Sequence, residues 1–159
     1  MGQAREVMDK ITEAVVTGDV DALEQLYAPD VVAETPDEGR LEGRAAVVGY
    51  LREFSQAFSD ISFEMIATTE AGDTAVDEAY LSATHTGPLP GPEGEIGPTG
   101  KRIRLRECDA VTVRGGMAVA HRFYFDQLDL MTQLGVLQPA TIVLPDARTG
   151  SEHTGAGAR

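Results

Sequence analysis

Gly115-Gly116 constrains this chain more than any other pair of residues. It stands between two runs of alternating polarity, and both central residues of a tight hairpin turn need positive φ, which glycine adopts readily. Residues 99–137 therefore read as two long strands followed by a short helix. With pairing running outward from the turn without interruption, Arg114 meets Met117, Val113 meets Ala118 and Val111 meets Ala120. Asp109 then meets Arg122, Glu107 meets Tyr124 and Leu105 meets Asp126. Alternate side chains leave a strand on opposite faces. This register predicts one face that gathers Glu107, Asp109, Arg122, Tyr124 and Asp126 among small and aliphatic residues. Acids and an arginine on such a face are costly to bury unless paired or put to use.

Upstream, the apolar period is helical. Val7, Met8, Ile11, Ala14 and Val15 predict a first helix over residues 4–17, stopped by Gly18. Asp19 is placed to cap a second, short helix through Leu23, Leu26 and Tyr27. A short extended piece at 31–34 and a turn around 36–39 precede a third helix from 43 to 58, with Val47, Tyr50, Leu51, Phe54 and Phe58 along one stripe. The period then changes to two: Ile61, Phe63, Met65 and Ala67 alternate with polar residues, and a turn at 71–73 leads into a strand over 74–86. Residues 87–100 hold Pro88, Pro90, Pro92 and Pro98 among glycines and are expected to lack regular structure, as a lid or binding loop does. A last helix is expected near 127–134. Helices first and a meandering sheet afterwards predict an α+β fold: a curved antiparallel sheet with the N-terminal helices packed on its concave face. The expected domain spans residues 1–138. Residues 139–159, rich in small and polar residues towards the end, are expected to form a largely disordered tail, with a possible strand at 141–144.

Composition narrows the function classes. The formal net charge is −13, which argues against nucleic acid and anionic membrane surfaces as partners. The acids are unevenly spread: residues 1–100 hold 20 acids and 5 bases, whereas 101–159 hold 6 and 8. No apolar run approaches bilayer-spanning length, and the N-terminus lacks a secretory pattern, so a cytoplasmic location is expected. One cysteine, Cys108, rules out an intrachain disulfide and any cysteine zinc cluster. The three histidines have no metal-ligand spacing, so no metal is expected.

The order of elements, together with Thr84-His85-Thr86-Gly87, Pro98-Thr99-Gly100-Lys101, the glycine turn, and Asp126 followed by Gln133-Leu134-Gly135, resembles the SnoaL-like polyketide cyclase family over roughly residues 5–138. The resemblance implies a cone-shaped pocket between the concave sheet face and the helices, and a catalytic aspartate at the end of the last long strand, here Asp126. It implies general acid/base ring closure of a polyketide-like molecule without metal or organic cofactor, and a homodimer. Epoxide opening and ligand binding without turnover are the alternatives that relatives of this fold suggest. One departure stands out. Arg122 occupies the place of the family's usual tryptophan and Ala120 that of an acid, so a more cationic pocket wall is expected.

Each candidate has a second, structural reading. Asp126 suits proton transfer, and equally an N-cap for the helix that follows. Asp109 and Arg122 form either a cross-strand ion pair or an oriented arginine that polarises a substrate oxygen. Tyr124 either donates to the same oxygen or lines the wall. Tyr27, Tyr50, Phe54, His85 and Glu107 complete the expected substrate-binding set. His121, with Phe123 and Phe125, is expected on the opposite face, against a second subunit. Arg102, Arg104 and Arg106 are expected to face solvent or an interface.

Overall fold

A computed structural model describes residues 2–91 and 94–137. The first helix, α1 (Gln3–Thr17), buries Ala4, Val7, Met8, Ile11, Ala14 and Val15 on one stripe and stops at Gly18, whose φ of 70° is left-handed. No side chain of its own caps its N-terminus. Glu70, 65 residues away from Arg5, does so instead, accepting the Gly2 N–H at 2.8 Å and the Arg5 N–H at 3.0 Å. Asp19 caps α2 (Val20–Leu26) by accepting from the Ala22 N–H. There follow β1 (Tyr27–Thr35), β2 (Gly39–Glu42) and α3 (Arg44–Ala57), which buries Val47, Val48 and Leu51.

The long meander comprises β3 (Phe58–Ala71) and β4 (Thr74–His85), then, beyond the proline-rich segment, β7 (Arg102–Arg114) and β8 (Met117–Phe125), and it ends in α4 (Gln127–Gln133). The proline-rich segment is not wholly irregular. It carries a small antiparallel ribbon of β5 (Leu89–Gly91) and β6 (Gly94–Ile96), with Pro90 opposite Glu95. The main sheet has six strands in the order β2-β1-β8-β7-β4-β3. Every pairing in it is antiparallel except β1 with β8, which is parallel. Helices α1 and α3 lie on one face, and their apolar stripes meet Ala75, Val111, Val113 and Ala118 in the core. The expected α+β cone is therefore present. The predicted tail at 139–159 lies outside the described residues.

The predicted register of the last hairpin is overturned. Arg114 opposes Met117 and Val113 opposes Ala118, but Thr112 then opposes Ala120, so β8 carries one extra residue, Val119, at a bulge. An inserted residue inverts the parity of everything beyond it. Asp109 consequently opposes Phe123 and not Arg122, and Glu107 opposes Phe125 and not Tyr124. His121, Phe123 and Phe125 turn to the helix side. Arg122 and Tyr124 turn to the convex side, where Tyr124 is 55% exposed.

Candidate active site

The helices and the concave sheet face do not close completely. They leave a cavity of about 110 Å³, roughly tenfold what a single water requires. Helix α1 contributes Met8, Ile11, Thr12 and Val15, and α3 contributes Tyr50, Leu51, Glu53 and Phe54. The sheet supplies Leu105, Glu107 and Asp109 from β7 and His121, Phe123 and Phe125 from β8. Leu89 and Pro90 of the ribbon border it, and Asp37 and Glu38 stand at the turn between β1 and β2. The walls are mainly apolar and aromatic. Against them stand five carboxyl groups and no lysine or arginine among the described lining residues.

Glu107 and Asp109 are two residues apart on β7 and share a face. Glu107 is buried, and burial pushes its carboxyl far above the usual range. The neighbouring Asp109 charge, a hydrogen bond between the two groups, and Asp77 push the same way. Burial also raises Asp109, against the hydrogen bond from Glu107 that favours its ionised form. The pair thus divides its roles, Glu107 holding the proton while Asp109 is the first to ionise. Asp77, opposite Asp109 on β4, is neutralised from below: Arg5 of α1 grips both its oxygens, with Nη2 donating to Oδ2 at 2.7 Å.

His121 is fully enclosed, and burial, with a smaller contribution from Arg122, lowers its pKa to about 3. Its Nδ1 lies 2.6 Å from the Tyr27 hydroxyl. That phenol is buried and raised well above its ordinary pKa by burial, so it stays protonated. It has no other hydrogen-bond partner among the described residues, and donation to Nδ1 satisfies both groups. This assigns the imidazole proton to Nε2. Nε2 has no hydrogen-bond partner, and Asp109 Oδ2 is its nearest acid at 3.5 Å. Because the imidazole is neutral, that contact is not an ion pair. It leaves a buried N–H donor with capacity to spare on a residue that lines the cavity. Phe123 stacks on the ring at 3.8 Å between centroids and holds its plane.

The predicted site residues are thus divided. Asp109, Glu107, Tyr50 and Phe54 meet in the cavity. Tyr27 stands behind His121 and orients it. His85 is fully buried at the far end of β4, where its Nδ1 accepts the Thr99 N–H at 3.2 Å. It pins the Thr99 segment to β4 and does not reach the cavity. Arg122 and Tyr124 lie on the opposite face, so the expected cationic wall is absent. Asp126 is exposed and accepts the Asp129 N–H at 3.0 Å, capping α4. His121 lies on the helix side, not on the opposite face that uninterrupted pairing predicts. Its true place had one sequence signal: with uninterrupted pairing, the bulky Phe123 and Phe125 oppose the parity of Val111 and Val113, a mismatch that one inserted residue resolves.

Comparison with known proteins agrees with this fold. No curated protein matches the chain. Among solved structures, TsrD from Streptomyces laurentii is 24% identical, with a TM-score of 0.70 over 85% of this chain and 96% of that one. IdmH from Streptomyces antibioticus, a candidate polyketide cyclase, is 22% identical, with a TM-score of 0.67 over 84% and 99%. An LEH-like epoxide hydrolase from M. tuberculosis is 18% identical, with a TM-score of 0.64 over 84% and 90%. At such identities these likenesses speak for the fold. The family model of the SnoaL-like polyketide cyclases matches residues 5–134. The chain belongs to the SnoaL-like polyketide cyclase family.

Proposed function

We propose that this protein is a cofactor-independent acid/base enzyme that closes a ring in an apolar, oxygen-rich, polyketide-like molecule. The observation that carries the reading is the carboxyl pair Glu107–Asp109 on one wall of an apolar cavity, Glu107 buried and Asp109 half-buried, with the unpartnered His121 Nε2–H next to it. The substrate carbonyl oxygen accepts a hydrogen bond from His121 Nε2–H, which stabilises negative charge developing there. Asp109 removes the proton from the carbon next to that carbonyl. The resulting enolate forms a carbon–carbon bond with a second carbonyl of the same molecule, and the new alkoxide takes the proton from Glu107. The proton on Asp109 then passes to Glu107 through the bond between them, restoring the starting state. Tyr27 keeps the imidazole in the required tautomer, a positioning role.

A second reading, epoxide opening, is supported by the same protonated Glu107. An acid able to donate to an epoxide oxygen stands beside a carboxylate able to activate water. One experiment separates these readings. An aryl β-keto ester and styrene oxide are each incubated with the protein in deuterated water. Ring closure predicts deuterium entering the acidic carbon, with the rate falling about 10²–10⁴-fold in Asp109→Asn. Diol formation from styrene oxide supports epoxide opening instead. Binding of both compounds with neither reaction leaves a binding protein. Unchanged exchange in Asp109→Asn removes that residue as the base.

We also propose that the protein is cytoplasmic and a homodimer paired through the convex sheet face, where Tyr124 is exposed. Light scattering on purified protein tests the pairing.

A further inference from the structure

The cavity has a charged end and a donor end, joined by a column of rings. At the mouth, Tyr50 donates to Asp37 Oδ1 at 3.2 Å. Glu38 and Glu53 border the same opening, and Glu38 is raised by partial burial and then by Asp37 and Glu53. Three carboxyl groups thus crowd one rim with no cation among the lining residues, an arrangement that repels an anion and is relieved by a positive charge. Inward, the Tyr50 ring meets Phe123 at 5.6 Å and Phe123 meets His121 at 3.8 Å. His121, 1% exposed, lines the same cavity, and its Nε2 has no hydrogen-bond partner. A buried donor without a partner waits at the other end.

Resting on the pocket reading above, we propose that the preferred ligand is an amphiphile of two ends: a protonated amine held at the rim by Asp37, Glu38 and Glu53, and a carbonyl oxygen accepting from His121 Nε2–H. The aromatic column between them suits an apolar body, and the Tyr50 face adds attraction for a cation near it. Carboxylate-bearing and phosphorylated compounds of the same shape are excluded by the rim.

The test uses three compounds of one shape: 4-acetylbenzylamine as its ammonium ion, 4-acetylbenzyl alcohol and 4-acetylbenzoate, titrated calorimetrically into the full chain. The ammonium ion is expected to bind at least tenfold more tightly than the alcohol, and the benzoate more weakly than either. The triple variant Asp37→Asn/Glu38→Gln/Glu53→Gln should bring the first two within about twofold. A control of equal charge change, Asp21→Asn/Glu24→Gln/Asp30→Asn, should keep the preference. Should the triple variant not fold, each single substitution is expected to lower the preference by about twofold or more. Equal affinity for ammonium and alcohol overturns the proposal, as does loss of the preference in the control, which would assign it to the general negative field. In either case the pocket reading survives if Leu105→Trp, which fills the cavity, abolishes binding of the alcohol. Binding of none of the three, or binding that Leu105→Trp leaves intact, overturns both.

Discussion

Replacing Arg5 with methionine should destabilise the fold by about 3–5 kcal/mol, the usual cost of removing one partner from a buried ion pair. The structure selects that magnitude. Arg5 is 8% exposed and Asp77 2%, so the pair lies well outside the solvent-screened range in which ion pairs contribute little. The guanidinium engages the carboxylate in parallel, Nη1 donating to Oδ1 and Nη2 to Oδ2. The second partner of Arg5, Asp9 at 2.8 Å from Nε, is half exposed and adds only tenths of a kcal/mol. For a domain of this size 1 kcal/mol moves Tm by about 2–4 °C, so Arg5→Met should melt about 6–20 °C lower. The double variant Arg5→Met/Asp77→Leu removes both charges and should recover most of the loss, because apolar replacement of a buried pair is often neutral or better. Circular-dichroism melts and urea titrations at pH 7.5 measure both losses. Equal loss in the single and double variants would refute the reasoning, since packing alone would then account for it.

Glu107→Gln should become more stable relative to the natural chain as pH rises. Burial lifts this carboxyl's folded pKa, so from about pH 4 upward the unfolded chain releases a proton that the folded one keeps, and stability falls with pH. Urea midpoints at pH 4.5 and 8 that differ by a constant amount between the two proteins would contradict this. Tyr27→Phe leaves His121 Nδ1 buried without a partner and should cost about 1–3 kcal/mol, read from thermal melting, while slowing turnover far less than Asp109→Asn does. Asp126→Ala removes the α4 cap, should cost about 1 kcal/mol, and should leave turnover within a few-fold of normal in the deuterium-exchange assay.

Much of this architecture is legible in the chain because it rests on local periodicity. The stripe Val7, Met8, Ile11, Ala14 and Val15 and the stop at Gly18 define α1 almost to the residue, and the glycine pair sets the hairpin turn where it is found. The β5–β6 ribbon was hidden by its prolines, which suit an edge strand of two or three residues but not a longer one. The site was legible only in part. Glu107 and Asp109 lie between the turn and the start of β7, on a strand that is not bulged, so their shared face follows from alternation alone. Everything on β8 beyond Val119 depends on a pairing irregularity that leaves no mark of its own in Ala118-Val119-Ala120. The Arg5–Asp77 pair and the Glu70 cap on α1 join residues 72 and 65 positions apart, contacts that no local pattern reports.

The extra residue at Val119 also bears on how members of this fold diverge. Loss of that single codon would exchange the two faces of β8 beyond Ala118, sending the Arg122 guanidinium and the Tyr124 phenol into the hollow and the His121 imidazole out to the convex side. A lineage could in this way replace a neutral donor by a permanently charged one in a single step, with no substitution at any chemically active position. Column-by-column comparison of relatives around this strand should follow strand pairing first and residue identity second.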